Sequence, residues 1–424
     1  MDFINKDTEK LVGVIELLLQ SSSRINELKS RKYWYPLSRA CYGVEEIVES
    51  LDSLCSFRTS MWEKTHKFER RFSEFQGCYD SVMVNSGSSA DLLMCYQLIS
   101  QPNPLLNKGD EILIPIVTWP TQIWAAKMAG FKVKFVDVDP ITLNIDLQDL
   151  KNKVSDKTRA IFIVHLMGNP CNMDTVQQIS EDHNLILIED CCEALGSKWD
   201  NINVGNFGIM SSFSFYFSHH MTSMEGGLIA CSKLDVAEQM KILRSHGWLR
   251  SVDQISHNLA DNDLDPRYTF SNWGFNLRPT EIQASFGLHQ LTKLKGFNLK
   301  RDKLASIFFK YIDDQEFLQR PMVDEKAIPS WFCLPLMIEQ ESAFTRKDLI
   351  EHLEINGVET RPILAGNLAK HPVAEYFPEF KEYEFKGADL VHSQGIYIGL
   401  TPFSEEFEID KLINIFEDFL TKHK

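Results

Sequence analysis

The sequence predicts an α/β protein: a large, mostly parallel sheet covered by helices on both faces, followed by a smaller α+β domain. Three observations predict it. The chain has 424 residues, too many for one small core and enough for two domains. Between about 81 and 231, short apolar runs rich in Val and Ile alternate with helix-like stretches. Such near-continuous runs mark strands buried on both faces. From about residue 290 the alternation weakens.

In chain order, residues 1–30 read as a helical extension with a Ser-rich end, 31–289 as the large domain and 290–424 as the small one. "YPLSRACYGVEEIVESLDSL" gives a proline-bounded loop and a helix, and "HKFERRFSEFQG" a second amphipathic helix stopped by Gly77. The strands follow as "SVMVN" (81–85), "EILIPIV" (111–117), "FKVKFVDV" (131–138), "RAIFIVHL" (159–166), "NLILIED" (184–190), "SSFSFYF" (211–217) and "GLIAC" (227–231). Helices fall at 88–101, 121–130 and 173–183 between them, and longer ones at about 290–314 and 345–356.

Net charge is -15. An acidic surface repels phosphate backbones, so no nucleic-acid partner is expected. Nine cysteines, an odd number with no Cys-x-x-Cys, argue against a disulfide framework or a zinc site and suit the cytoplasm. The opening "MDFINKDTEKLVGVIELLLQSSSR" has early acidic residues and no cleavage-site pattern, so it reads as a surface helix. No apolar run approaches the ~20 residues that span a bilayer, so no membrane role is expected.

In an open α/β sheet, ligands bind where strands end. "VNSGSSADLL" is a strand, a Gly turn and a helix start. Ser88 and Ser89 are expected to cap that helix and leave an anion cradle suited to phosphate, with a plain capped helix as the alternative. In "LILIEDCCEALGS", Asp190 follows four apolar residues and Glu189, and needs a partner. A protonated cofactor ring nitrogen or the next turn's N–H groups would serve, and Glu193 is in reach of the same pocket. Trp119 follows a strand, to stack on a flat ring or to pack in the core. His165 ends another strand, where a structural role is the default. "SFSFYFSHHMTSMEGG" places Ser214 near a strand end and His219 five residues later. Adjacent side chains diverge, so His219 and His220 make a poor metal site, whereas a base titrating near neutrality is plausible.

In this order the features resemble the DegT/DnrJ/StrS family of nucleotide-sugar aminotransferases, from about Tyr35 to the C-terminus. These are pyridoxal phosphate (PLP) enzymes of the aspartate aminotransferase fold, fold type I. The resemblance implies that Gly87, Ser88, Ser89 and Ser214 hold the cofactor phosphate and that Trp119 stacks on its ring. Asp190 would meet the ring nitrogen, and Glu193 would lie near the ring hydroxyl. "WGFNLRPTEIQASFG" would supply Asn276 to the phosphate of a neighbouring subunit's cofactor, in a homodimer with shared active sites. One departure decides the expected activity. The family's lysine lies six residues before the glutamate of "EGG", and counting back from Glu225 gives His219. Lysine forms a Schiff base with PLP and imidazole cannot.

The same replacement marks the family's sugar 3-dehydratases, which "SHGWLR" (245–250) and "ETRPILAGNLAKHP" (359–372) also resemble. One type of that branch adds an iron–sulfur cluster. Here no cysteine lies between Cys231 and Cys333 and a cluster needs several thiolates, so no iron–sulfur cluster is expected. The implied activity removes the C-3 hydroxyl of a nucleotide-linked 4-keto-6-deoxy sugar, the GDP-4-keto-6-deoxymannose class, for surface polysaccharide synthesis. Pyridoxamine phosphate (PMP) would be the working cofactor, L-glutamate the amino donor and His219 the catalytic base. His165, His220, Ser245, His246, Arg361 and Asn367 are candidate substrate contacts. The competing expectations are an aminotransferase working without the lysine and a non-catalytic cofactor-binding relative.

Overall fold

The computed structural model describes residues 6–20, 32–252 and 264–423. The expected N-terminal extension is helical over Lys6–Gln20, and the rest of 1–30 lies outside the described residues. No helix among the described residues is long and apolar enough to cross a membrane.

The large sheet has seven strands: β1 (Asp80–Val84), β2 (Glu111–Pro115), β3 (Lys132–Val136), β4 (Thr158–Val164), β5 (Ile186–Asp190), β8 (Met210–Ser214) and β9 (Gly227–Cys231), in the order β1-β9-β8-β5-β4-β2-β3. Only β9 runs against the others. The strands are buried almost throughout, as their apolar runs require. Between β5 and β8, the two-residue strands β6 (Lys198–Trp199) and β7 (Ile202–Asn203) pair with β11 (Ala327–Ile328) in a three-stranded sheet. Helix Glu63–Gln76 ends at Gly77, whose φ of 78° is the left-handed cap that glycine adopts without strain.

A four-stranded antiparallel sheet forms the second layer, in the order β10 (Leu318–Gln319), β12 (Cys333–Ile338), β14 (Gly395–Gly399), β13 (Thr360–Pro362). Strand β12 is buried at every position, and its period of two explains how. Leu334, Leu336 and Ile338 face the small core, while Cys333 and Met337 face the large one. The boundary expected at 289/290 falls inside one helix, Glu281–Ile312. Ala284, Leu288 and Leu294 on this helix pack in the large domain, and Leu304, Phe308 and Ile312 in the small one. Tyr35, before the first large-domain helix, is also buried in the small core.

Candidate active site

The C-terminal ends of β1, β2, β5 and β8 converge on one place. The cap of helix Gly87–Leu98 is Ser86, not Ser88 or Ser89. Its φ and ψ of -165° and 163° are extended, and its Oγ accepts the Ser89 N–H at 3.1 Å. An N-cap must be extended and reach two or three residues ahead, which fits Ser86 alone of the three serines. Ser88 is exposed at the helix start, and the Ser89 hydroxyl accepts from Ser86 Oγ at 3.0 Å. A Cβ on Gly87 would lie 2.6 Å from Ser214 Cβ and 3.2 Å from Cys192 Sγ, and one on Gly227 would lie 2.2 Å from the Ser86 carbonyl oxygen. Glycines therefore let the helix start, the end of β8 and the start of β9 close on each other. The first-turn N–H groups and the Ser214 hydroxyl border one small cradle, which fits a phosphate.

Asp190 closes β5, 4% exposed, and its Oδ1 accepts the Cys192 N–H at 2.8 Å. Burial pushes its carboxyl above the usual range. Sequence reading missed its neighbour Asp91, 1% exposed on helix Gly87–Leu98. Asp91 Oδ2 accepts the Thr121 hydroxyl at 2.7 Å, and Oδ1 is buried without a partner. Burial and then Asp190 hold Asp91 well above its ordinary value. Two buried carboxyls so placed suit a cation or a shared proton, and a protonated ring nitrogen supplies either. A carboxylate inside the apolar stretch "ADLLMCYQL" was the available signal. Trp119 is 58% exposed after β2, open for stacking. Glu193 accepts the Met167 N–H at 2.9 Å, and burial raises its pKa to about 7.

His219 lies in the loop joining β8 to β9. Its ring edges onto Tyr216 and Phe332, centroids 6.0 and 5.2 Å away, and its Nδ1 is buried without a partner. Burial, then the Arg301 guanidinium, lowers its pKa to about 4, so the imidazole is neutral at pH 7. Phe332 N donates to the carbonyl of Met167, whose own N–H meets Glu193, which links His219 to the Asp190 side of the site.

Three expected substrate contacts are committed elsewhere. His165 is fully buried: its Nδ1 accepts the Cys171 N–H and its Nε2 faces Glu189 at 3.2 Å. Glu189 also accepts the N–H groups of Gly205, Phe207 and Gly208, so this cluster is an internal network backing Asp190. His220 points inward, Nε2 to the Ser330 carbonyl at 2.8 Å. Asn367, 3% exposed, caps a short helix through Oδ1 and donates to Asp389. Arg361 is about half exposed and pairs with Glu359. It stands beside Tyr397, which lies in the field of Glu193. Ser245 and His246 lie on a segment that pairs with the one carrying Asn276, through a Ser245–Asn276 bridge and the His246 N–H on the Phe275 carbonyl. The Ser245 hydroxyl is buried without a partner, while Asn276 is exposed with Arg278 Nε on its Oδ1.

The model of the DegT/DnrJ/EryC1/StrS aminotransferase family matches residues 41–417. A GDP-4-keto-6-deoxy-D-mannose 3-dehydratase of Yersinia pseudotuberculosis is 34% identical over 388 residues, 90% of this chain and 98% of that protein. The structure of the E. coli GDP-4-keto-6-deoxy-D-mannose-3-dehydratase with bound hydrated PLP superposes with a TM-score of 0.85 at 34% identity, covering 90% of this chain and 99% of that one. A crystal structure of a GDP-4-keto-6-deoxymannose-3-dehydratase with a trapped PLP-glutamate geminal diamine gives 0.84, also at 34% identity and with the same coverage.

Proposed function

The chain belongs to the DegT/DnrJ/EryC1/StrS aminotransferase family, and on that premise we propose that it is a PMP-dependent nucleotide-sugar 3-dehydratase. Its substrate is a GDP-linked 4-keto-6-deoxy sugar, and glutamate is the amino donor. The observation that carries this reading is His219. A neutral imidazole, its Nδ1 unpaired, stands where the aminotransferases need a lysine.

When bound, the cofactor supplies an amine for the sugar's keto carbon and a ring that accepts electrons. The chain's own residues do the rest. The first-turn N–H groups of Gly87 and Ser88, with the Ser214 hydroxyl, would hold the cofactor's phosphate, and Trp119 would stack on its ring. Asp190 would keep the ring nitrogen protonated and be ionised beside it, and Glu193 would lie near the ring hydroxyl. His219 would be the base that accepts a proton in the reaction and returns it to the departing C-3 hydroxyl. Phe332 and Tyr216 flank the ring that moves the proton. Asn276, exposed beside Ser245 and Arg278, would reach the phosphate of the neighbouring subunit's cofactor in a homodimer.

The protein, PLP, L-glutamate and GDP-4-keto-6-deoxymannose are incubated together. Equal amounts of 2-oxoglutarate and a sugar nucleotide lighter by one oxygen are expected. An amino sugar, or no 2-oxoglutarate, would overturn the reading.

A further inference from the structure

Helix Glu281–Ile312 carries a buried polar stripe that the chemistry above does not use. Gln283, Gln290 and Arg301 stand seven and eleven residues apart, both close to whole numbers of helical turns. Each is bonded to the loop between β8 and β9. Gln283 Nε2 donates to the Glu225 carbonyl, and Gln290 Oε1 accepts the Thr222 N–H at 3.1 Å. Arg301 Nη1 donates to the His220 carbonyl at 3.0 Å and Nη2 to the His219 carbonyl at 3.2 Å. Its Nε donates to the carbonyl of Leu400, just past β14, at 3.2 Å. One side chain thus ties the histidine pair to the small sheet.

Arg301 is 4% exposed, and its bonds go to carbonyls. Among the described residues no carboxylate pairs with it, unlike buried Arg244, which meets Glu69 at 2.6 Å. An unpaired buried cation is costly, and burial lowers its pKa to about 10. Such a group has to serve the place it occupies.

We propose that Arg301 is a positioning residue for the reaction: it fixes the main chain of the histidine pair, aims the His219 ring, and anchors that aim to the small sheet through Leu400. This rests on the reading of His219 as the base. Since no anion absorbs its charge, the guanidinium also opposes protonation of both imidazoles. Among the described residues, the groups that face His219 are Arg301, His220 and the aromatic rings of Tyr216 and Phe332. A lysine could keep the charge but not the fork that grips separate carbonyls.

The test uses the full-length protein and the variants Arg301→Met and Arg301→Lys. With isotope-labelled histidine in the cofactor-free protein, NMR titration reads His219, assigned by the signal missing from His219→Asn. Arg301→Met should raise the His219 midpoint by about half a unit or more toward the ordinary value, while Arg301→Lys keeps it low. Both should lower kcat by about 10- to 100-fold with little change in KM for the keto sugar. A folded Arg301→Met protein with wild-type midpoint and wild-type kcat overturns the proposal. Should that variant fail to fold, Arg301→Lys decides: unchanged kcat refutes, and lowered kcat with a low midpoint supports. If the wild-type protein consumes no keto sugar, the dehydratase reading fails, and the titration still decides whether Arg301 sets the state of His219.

Discussion

Replacing Gly87 with alanine places a methyl group where the fold leaves no room. The new Cβ would lie 2.6 Å from Ser214 Cβ, 3.0 Å from its Oγ and 3.2 Å from Cys192 Sγ. Ser214 is held by its pairing with Gly227 of β9, and β8 is also tied to β5 up to Ser212. Ordinary contact begins at 3.4 Å, so the helix start and the end of β8 must part by about 0.8 Å. Overpacking of this kind costs about 1–3 kcal/mol. The parting opens the phosphate cradle, so the same energy read as affinity weakens PLP binding about 5- to 150-fold. Thermal unfolding of the cofactor-free protein and a PLP titration by absorbance measure the two effects. Gly296→Ala is the control: that helical glycine has nothing within 4 Å of its Cβ direction, so alanine should stabilise by about 0.5–1 kcal/mol. Gly87→Ala protein that binds PLP as tightly as wild type and unfolds at the same temperature would refute the cradle.

Asp190→Asn removes the carboxylate proposed for the ring nitrogen. It should lower kcat by about 100-fold or more while PLP still binds through its phosphate; unchanged turnover would count against the assignment. Glu193→Gln tests a pH dependence in the cofactor-free protein. The folded pKa of Glu193 is raised from 4.5 to about 7, so between these values the folded state holds a proton that the unfolded chain releases. That contribution is full below about 4.5 and lost as pH rises through about 7. Melting temperature should therefore fall less between pH 5 and pH 8 in Glu193→Gln than in wild type. Parallel curves would show that Glu193 titrates normally.

The large sheet was legible because strands buried on both faces must be apolar along their length, as in "RAIFIVHL" and "NLILIED". Strands β6, β7 and β11 were not, because two residues carry no period to read. The family's lysine-to-glutamate spacing, counted back from Glu225, pointed to His219, and a short loop between paired strands sets that distance. Spacing could not show that His165, His220 and Asn367 spend their polar atoms inside the fold. The cap at Ser86 was hidden by three serines in "SGSS", which backbone angles alone separate. Arg301 and Asp91 sit inside helices, and their partners come from elements far away in sequence.

The central claim is that His219 moves the proton a lysine would move in an aminotransferase. A single-turnover experiment tests it: PMP-loaded wild type, His219→Asn and His219→Lys are each mixed with one equivalent of GDP-4-keto-6-deoxymannose, and PLP absorbance and sugar mass are followed. Wild type should yield one equivalent of PLP and one of deoxygenated sugar nucleotide. His219→Asn should leave the sugar unchanged, and His219→Lys, given PLP, should show a stable imine absorbance without dehydration. Conversion of the sugar by His219→Asn at the wild-type rate would contradict the account.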